Sequence, residues 1–316
     1  MTHRILAGLA AGALALVASP AWATFSIIAC DKDQSCGVAV ATNNLAVGAS
    51  VPYARAGVGA LVTQFETNPD YGPKGLRLLS EGRTPDDVRA TLLAEDGGFE
   101  GQDQTWRQIA VISADGQASA YTGDKAAASP WAGHKVLEGL SVQGNGLAGP
   151  QVLDAMTAAF RATRGSLAER LLASLEAGEA AGGQTTGRMS AALLVRDSEG
   201  GWRDVDLRVD ASGAPVPELR RLFSLRRANE VLARAERAAR QGRPDLARGE
   251  LAAAIALSGD WDRVRRRAAR LQMTMGDHAA AIQSLQAMYR LNPRWAISER
   301  ETPLFEPVRA AIRFED

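Results

Sequence analysis

Two cysteines and three histidines in 316 residues close off several chemistries at once. His3, His134 and His278 lie far apart, with no neighbouring cysteine and no cluster of carboxylates, so no metal site is expected. A histidine-based serine triad would have only His134 to serve as its base. Net charge is lacking too: 36 Lys and Arg are balanced by 36 Asp and Glu, and nothing global points to a nucleic-acid partner. Beyond the first two dozen residues there is no run apolar enough to cross a membrane.

What the chain does have begins at its first residues. Arg4 supplies a positive n-region, residues 5–18 an apolar h-region, and Ser19-Pro20 break the helix before Ala21-Trp22-Ala23. This is the pattern of a signal peptide over residues 1–23, cut after Ala23. The apolar run is shorter than the ~20 residues of a spanning helix, so export to the periplasm without a lasting anchor is expected. The cut would leave Thr24 first in the mature chain. Its α-amine, with a reference pKa of about 7.7–8.0, would stand beside its own hydroxyl and could take the hydroxyl proton directly or through one water.

Cys30 and Cys36 flank the polar turn at 31–35, and in an oxidising compartment they suit a disulfide that clips a hairpin. Apolar runs separated by turn residues predict strands over 24–30, 36–42 and 58–64. Helical spacing follows at 71–81 and 85–94, with Thr84 as N-cap. Strands over 107–113 and 118–122 meet at Asp115-Gly116, a hairpin signal. A strand over 139–143 leads into helices over 150–163 and 166–180, and strands over 190–196 and 202–209 close the series. This order excludes a doubly wound parallel sheet. It predicts an α+β fold: a four-layer αββα sandwich, two antiparallel sheets face to face with helices outside each, over 24–217.

From 218 to 316 the chain reads as all helical. Residues 219–272 hold 14 Arg against 6 Asp or Glu, a basic face that is either solvated or a docking surface for an anionic partner. Gly242-Arg243-Pro244-Asp245-Leu246-Ala247 realigns with Gly276-Asp277-His278-Ala279-Ala280-Ala281 at the 34-residue tetratricopeptide period, and Asn292-Pro293 closes the second unit. A plain helical bundle is the competing reading. Such repeats would offer a groove to a protein or peptide partner.

Gly144-Asn145-Gly146-Leu147-Ala148-Gly149 matches the dinucleotide fingerprint, with Glu169 downstream. A dinucleotide site needs a parallel strand after the helix to carry that acid, and 166–180 reads as helix, so no cofactor is expected. In amide hydrolysis the same bend has a use. Backbone N–H groups at Gly144 and the Asn145 amide could face a developing oxyanion; a tight turn with a left-handed Asn is the alternative. Arg188 could clamp a substrate carboxylate or tune the amine, and Arg55 holds a similar loop position. His134 either binds substrate or bonds a carbonyl in the core.

Together, TFSI at 24–27, AVGASVPYARAGVGALVTQ at 46–64, TNPDYGPKGLRLL at 67–79, PWAGH at 130–134, SVQGNGLAG at 141–149 and GRMSAALL at 187–194 resemble domain of unknown function 1028, a bacterial family placed among the N-terminal nucleophile (Ntn) hydrolase-like folds. The resemblance covers most of residues 24–210. It implies the αββα sandwich and a nucleophile at the Thr of TFSI, Thr24. The Cys30/Cys36 pair and Gly146 depart from the family's usual pattern, and the helical tail lies outside it. The expected activity is an exported amidohydrolase acting on a small-molecule amide or peptide, with Thr24 as nucleophile, Asn145 and Gly144 at the oxyanion, and Arg188, Arg55 and His134 near the substrate. The competing function is a non-catalytic envelope binding or scaffold protein, acting through the sandwich cleft or residues 219–293.

Overall fold

The computed structural model describes residues 23–314; the expected signal peptide up to residue 22 lies outside them. Ten strands form two antiparallel sheets. The six-stranded sheet takes β1 (Thr24–Cys30), β2 (Cys36–Thr42), β7 (Gly133–Leu137), β8 (Leu140–Asn145), β9 (Ser190–Arg196) and β10 (Val205–Val209), in the order β10-β9-β2-β1-β8-β7. The four-stranded sheet runs in sequence order through β3 (Pro52–Arg55), β4 (Gly59–Phe65), β5 (Arg107–Ser113) and β6 (Ala118–Thr122).

Strand alternation sorts the side chains into layers. Phe25, Ile27 and Ala29 of β1 face outward and pack with Leu153, Met156, Leu171 and Leu175, from α4 (Gln151–Ala162) and α5 (Leu167–Ala180). Ile28 and Cys30 face the other way, against Ala60, Val62, Ala110 and Ile112 of the second sheet. On that sheet's outer face Leu61, Ile109 and Val111 pack against Leu78, Val88 and Leu92, from α1 (Tyr71–Ser80) and α2 (Pro85–Ala94). The layers are therefore helix, sheet, sheet, helix, as expected. Local signals act where they were read. The Thr84 side chain accepts from the Asp87 amide at the start of α2, and Ser166 and Glu169 form a capping box on α5.

Three short elements escape the sequence reading: β3, β7 and a one-turn helix, α3 (Asp124–Ala127). β3 opens on Pro52, which read as loop. β7 is an edge strand whose residues alternate between exposed and half-buried, too short and mixed to stand out.

Cys30 and Cys36 sit directly opposite each other in the β1–β2 register and form a disulfide. Closing this hairpin covalently removes freedom from the unfolded chain and fixes the alignment of the two strands that matter most for the site.

The helical region contains α6 (Pro215–Arg240), α7 (Pro244–Leu257), α8 (Asp262–Thr274), α9 (His278–Leu291) and α10 (Pro293–Arg300). α7 and α9 have equal lengths of 14 residues, and their bounds are displaced by the same period as the sequence repeat. The boundary drawn at 217/218 falls inside α6. Val216, Leu219 and Phe223 belong to the sandwich core, whereas Ala228, Val231, Leu232 and Ala235 pack with α7 and α8. Much of the local arginine excess is met by acids from outside that window: Arg227 pairs with Glu169, Arg220 with Glu176, Arg248 with Asp277, and Arg266 and Arg270 with Glu299.

Candidate functional site at the head of the central strand

The gap between the sheets is apolar at one end and polar at the other. At the disulfide end it holds Ile28, Val38, Cys30, Cys36 and Ile112. Where β1 begins, the same inward-facing positions are Thr24 and Ser26 on β1, Thr42 on β2, Gln143 and Asn145 on β8, and Gln64 and Gln108 on the facing sheet. All seven are buried. A buried polar group must find a partner or carry a penalty of about 1–3 kcal/mol, and most of these find one.

Thr24 lies opposite Thr42 on one side and Asn145 on the other. Its Oγ1 is 3.0 Å from Thr42 Oγ1. Thr42 Oγ1 donates to the Ala23 carbonyl at 2.8 Å and accepts from the Asn44 amide at 3.3 Å. Ser26 donates to Gln64 Oε1 at 2.7 Å. Gln64 Nε2 donates to Gln108 Oε1 at 2.7 Å and reaches the Thr24 carbonyl at 3.4 Å. Asn145 Nδ2 donates to the same Gln108 Oε1 at 2.9 Å. Gln108 Nε2 then donates to Thr122 Oγ1 at 3.0 Å and to the Gly144 carbonyl at 2.9 Å, and Thr122 Oγ1 is 2.9 Å from His134 Nδ1. Two branches beside Thr24, through Gln64 and through Asn145, thus meet at Gln108 and continue through Thr122 to His134. Among the described residues, Asn145 Oδ1 and both amide atoms of Gln143 are buried with no partner.

The structure brings Thr24, Gly144 and Asn145 together and joins His134 to them at a distance. It redistributes the oxyanion role. The Gly146 amide donates to Ser129 Oγ, and the Leu147 and Ala148 amides to the carbonyls of Trp131 and Gly183. Gly144 presents its carbonyl to Gln108. The N–H groups of Gly146, Leu147 and Ala148 are therefore committed to neighbouring loops, and the side-chain donors left at this end of the gap are the second hydrogen of Asn145 Nδ2 and the unpaired Nε2 of Gln143. The glycines have structural reasons. Gly146 has a φ of 60°, a left-handed conformation costly for larger residues, and a Cβ on Gly144 would stand 2.6 Å from a Leu147 methyl. β8 is antiparallel to both neighbours, β1 and β7, and Glu169 is spent on its helix cap, so the dinucleotide fingerprint lacks its context.

Two arginines are corrected. Arg55 pairs with Gly59 at the far end of the second sheet, five residues along β4 from Gln64, which is about 17 Å. The turn that follows it meets the β1–β2 hairpin at Gln34, so Arg55 stands at the disulfide end and cannot touch a substrate at Thr24. Arg188 precedes Met189, whose amide bonds the Thr42 carbonyl, but its guanidinium pairs with Glu179 of α5 at 2.6 Å. That pairing neutralises an acid on the sheet's outer side.

His134 is exposed as a residue on the edge strand, yet desolvation of its ring moves its pKa below the usual histidine value, with Arg89 adding to the effect, and so favours the neutral form. The unfolded chain therefore binds the proton more readily than the folded one, and stability contributed here is complete above about pH 6.5 and falls as pH drops below it. Urea unfolding at pH 7.5 and 5.5 is expected to show a larger loss for the wild type than for His134→Gln. Equal losses would mean that His134 is not held neutral.

Sequence reasoning missed Thr42, Gln64, Gln108 and Gln143. Their phase says only which face they take, each continuing an inward-facing series of small or apolar residues as Gln64 continues Ala60 and Val62, and not that the polar ends of these series meet.

A four-layer α+β sandwich with a polar site at the head of its central strand, continued by a helical region, defines the class of protein. The chain belongs to the family of unknown function DUF1028, whose match covers residues 24–219. It is similar to the crystal structure of protein SPO2555 from Silicibacter pomeroyi, a DUF1028 protein, at 32% identity and a TM-score of 0.57, over 64% of this chain and 84% of that one. No curated protein matches it.

Proposed function

We propose that this protein is an exported amidohydrolase whose nucleophile is Thr24, made N-terminal by removal of residues 1–23. The observation that carries the reading is the placement of Thr24 at the first position of the central strand, its hydroxyl at the polar end of the gap. The family match begins at this same residue. In the processed chain the α-amine takes the hydroxyl proton and Oγ1 bonds to the carbonyl carbon of an amide. Negative charge on the carbonyl oxygen is met by Asn145 Nδ2. The amine's proton passes to the departing nitrogen as the C–N bond breaks, leaving an acyl ester on Thr24, and water then releases the acid and restores the hydroxyl. The substrate is a small-molecule amide or a peptide. His134, neutral and separated from Thr24 by Gln108 and Thr122, helps fix the amides and takes no part in the proton transfer.

A second reading, that the protein binds a peptide or protein partner without chemistry, draws on the helical region. A groove of about 620 Å³ there is lined by Leu251, Ala252, Ile255 and Met275, where tetratricopeptide-like repeats would present a ligand surface. N-terminal sequencing and intact mass of protein recovered from the periplasm decide between them. A chain starting at Thr24 is expected. A chain starting at any other residue separates amine from hydroxyl and leaves the binding reading.

A further inference from the structure

We infer that Thr42 is the positioning residue of this site, a hydroxyl that holds the Ala23 carbonyl in the uncut chain and turns to the α-amine of Thr24 once that carbonyl has gone. The inference rests on the reading of Thr24 as an N-terminal nucleophile. Thr42 has one hydroxyl hydrogen, and it points at the Ala23 oxygen, 2.8 Å away. Thr24 Oγ1, 3.0 Å from Thr42 Oγ1, must then supply the hydrogen between the two threonines. In this arrangement the nucleophile's proton is directed at Thr42, and the nitrogen beside it is an amide with no basic lone pair. The uncut chain is silent for both reasons.

Cutting the Ala23–Thr24 bond changes both. The carbonyl oxygen of an amide lies only about 2.3 Å from its nitrogen by standard bond lengths, so a hydroxyl that reached the Ala23 oxygen is aimed beside the nitrogen that becomes the amine. In the uncut chain Thr42 is buried, with 3% exposure, and removal of Ala23 takes away the one acceptor its hydrogen had. The amine lone pair is the acceptor that cleavage creates. With that bond made, a continuous path exists: Thr24 O–H donates to Thr42 Oγ1, and Thr42 O–H donates to the amine. As Oγ1 of Thr24 attacks, its proton moves to Thr42 and the Thr42 proton moves to the amine. Thr42 ends as it began, and one proton has been transferred, with Thr42 standing where a water would otherwise serve.

The fold holds Thr42 to this task. Its backbone is paired on both sides, to Thr24 and to Ser190, and its β-branched side chain has few rotamers. The Asn44 amide fixes the oxygen from a third direction.

The test uses the full chain, processed to start at Thr24, and a β-lactone as acylating probe, with adduct formation on Thr24 followed by intact mass across pH 5.5 to 9. Thr42→Val keeps the shape and removes the hydroxyl. Its adduct rate is expected to fall at least tenfold, toward but not beyond the ~10²–10⁴ that a positioned base contributes, and the pH of half-maximal rate is expected to move. Thr42→Ser should recover the rate to within about threefold of wild type, since it restores the donor at some loss of rotamer order. Should Thr42→Val fail to fold, Thr42→Cys, a weak donor of similar size, is expected to fall between serine and none. Equal rates and pH profiles for the wild type and Thr42→Val, or for cysteine where valine does not fold, overturn the inference while leaving Thr24 as nucleophile. Labelling that survives Thr24→Ala overturns the nucleophile reading and this one with it.

Discussion

Thr24→Ala, exported and cut after Ala23, is expected to lose acylation by a β-lactone by at least about 10⁴-fold, equivalent to roughly 5.5 kcal/mol of transition-state stabilisation. The reason is specific to the position. Alanine keeps the amine, the strand and the neighbouring amides, and removes the oxygen that forms the bond together with the γ-methyl. Thr24→Ser keeps both nucleophile and base and should stay within about tenfold of wild type, the loss reflecting freer χ1 rotation. Folding should survive the alanine change, because what goes is one hydroxyl pair with Thr42, a net contribution of about 1 kcal/mol. Intact mass reads both results in one measurement: one acyl group on the serine and wild-type chains, none on the alanine chain. An alanine chain that labels at the wild-type rate would assign the chemistry elsewhere, and the site would then be a polar seam between sheets.

The largest expected stability effect lies behind the site. Arg107, the first residue of β5, is 1% exposed and is engaged by Asp96 through Nε at 2.9 Å and Nη2 at 3.2 Å. Its remaining donors go to the carbonyls of Glu66, Phe99 and Gln102. Asp96 also accepts from Tyr71 and from Asn68. Burial alone would raise the Asp96 pKa, but the hydrogen bonds from Arg107, Tyr71 and Asn68 outweigh it and hold the carboxyl below its ordinary value. Asp96→Ala leaves a guanidinium buried without its counter-charge, and a loss of about 3–5 kcal/mol is expected, much of the 5–15 kcal/mol that holds a typical domain. Urea unfolding measures it. Replacing both partners, Asp96→Leu with Arg107→Met, should cost less than Asp96→Ala alone, because no charge is stranded; a double variant as unstable as the single one would refute that account. Since Arg107 precedes Gln108, the pair also anchors the strand that carries the central amide of the network.

The architecture was legible because its signals are local. Alternating apolar runs, the Asp115-Gly116 turn, Thr84 at a helix start and the Cys30/Cys36 spacing each act within a few residues, and the layering followed from the succession of strands and helices, whereas the order of strands in the six-stranded sheet was not read. The candidate nucleophile was proposed for a chemical reason, a hydroxyl beside an expected cleavage point. Its surroundings were not. Thr42 and Gln143 come from two strands of one sheet and Gln64 and Gln108 from two strands of the other, so they become neighbours only on folding, and a lone glutamine in a strand looks the same whether it faces water or a buried threonine. Arg55 failed for the opposite reason: its loop resembled that of Arg188, but register set it at the other end of the gap. The Asp96–Arg107 pair was equally hidden, since the ten intervening residues give no hint that both charges are buried.

At 26 residues, α6 is a rod of about 39 Å with one end seated in the sandwich by Val216, Leu219 and Phe223 and the other in the helical region by Val231, Leu232 and Ala235. No flexible linker separates the two cores along this helix. The same rod is tied by Arg220–Glu176 and Arg227–Glu169 to α5, which lies against the back of β1 and β2. The helical region therefore cannot turn against the sandwich without bending this rod or breaking those pairs.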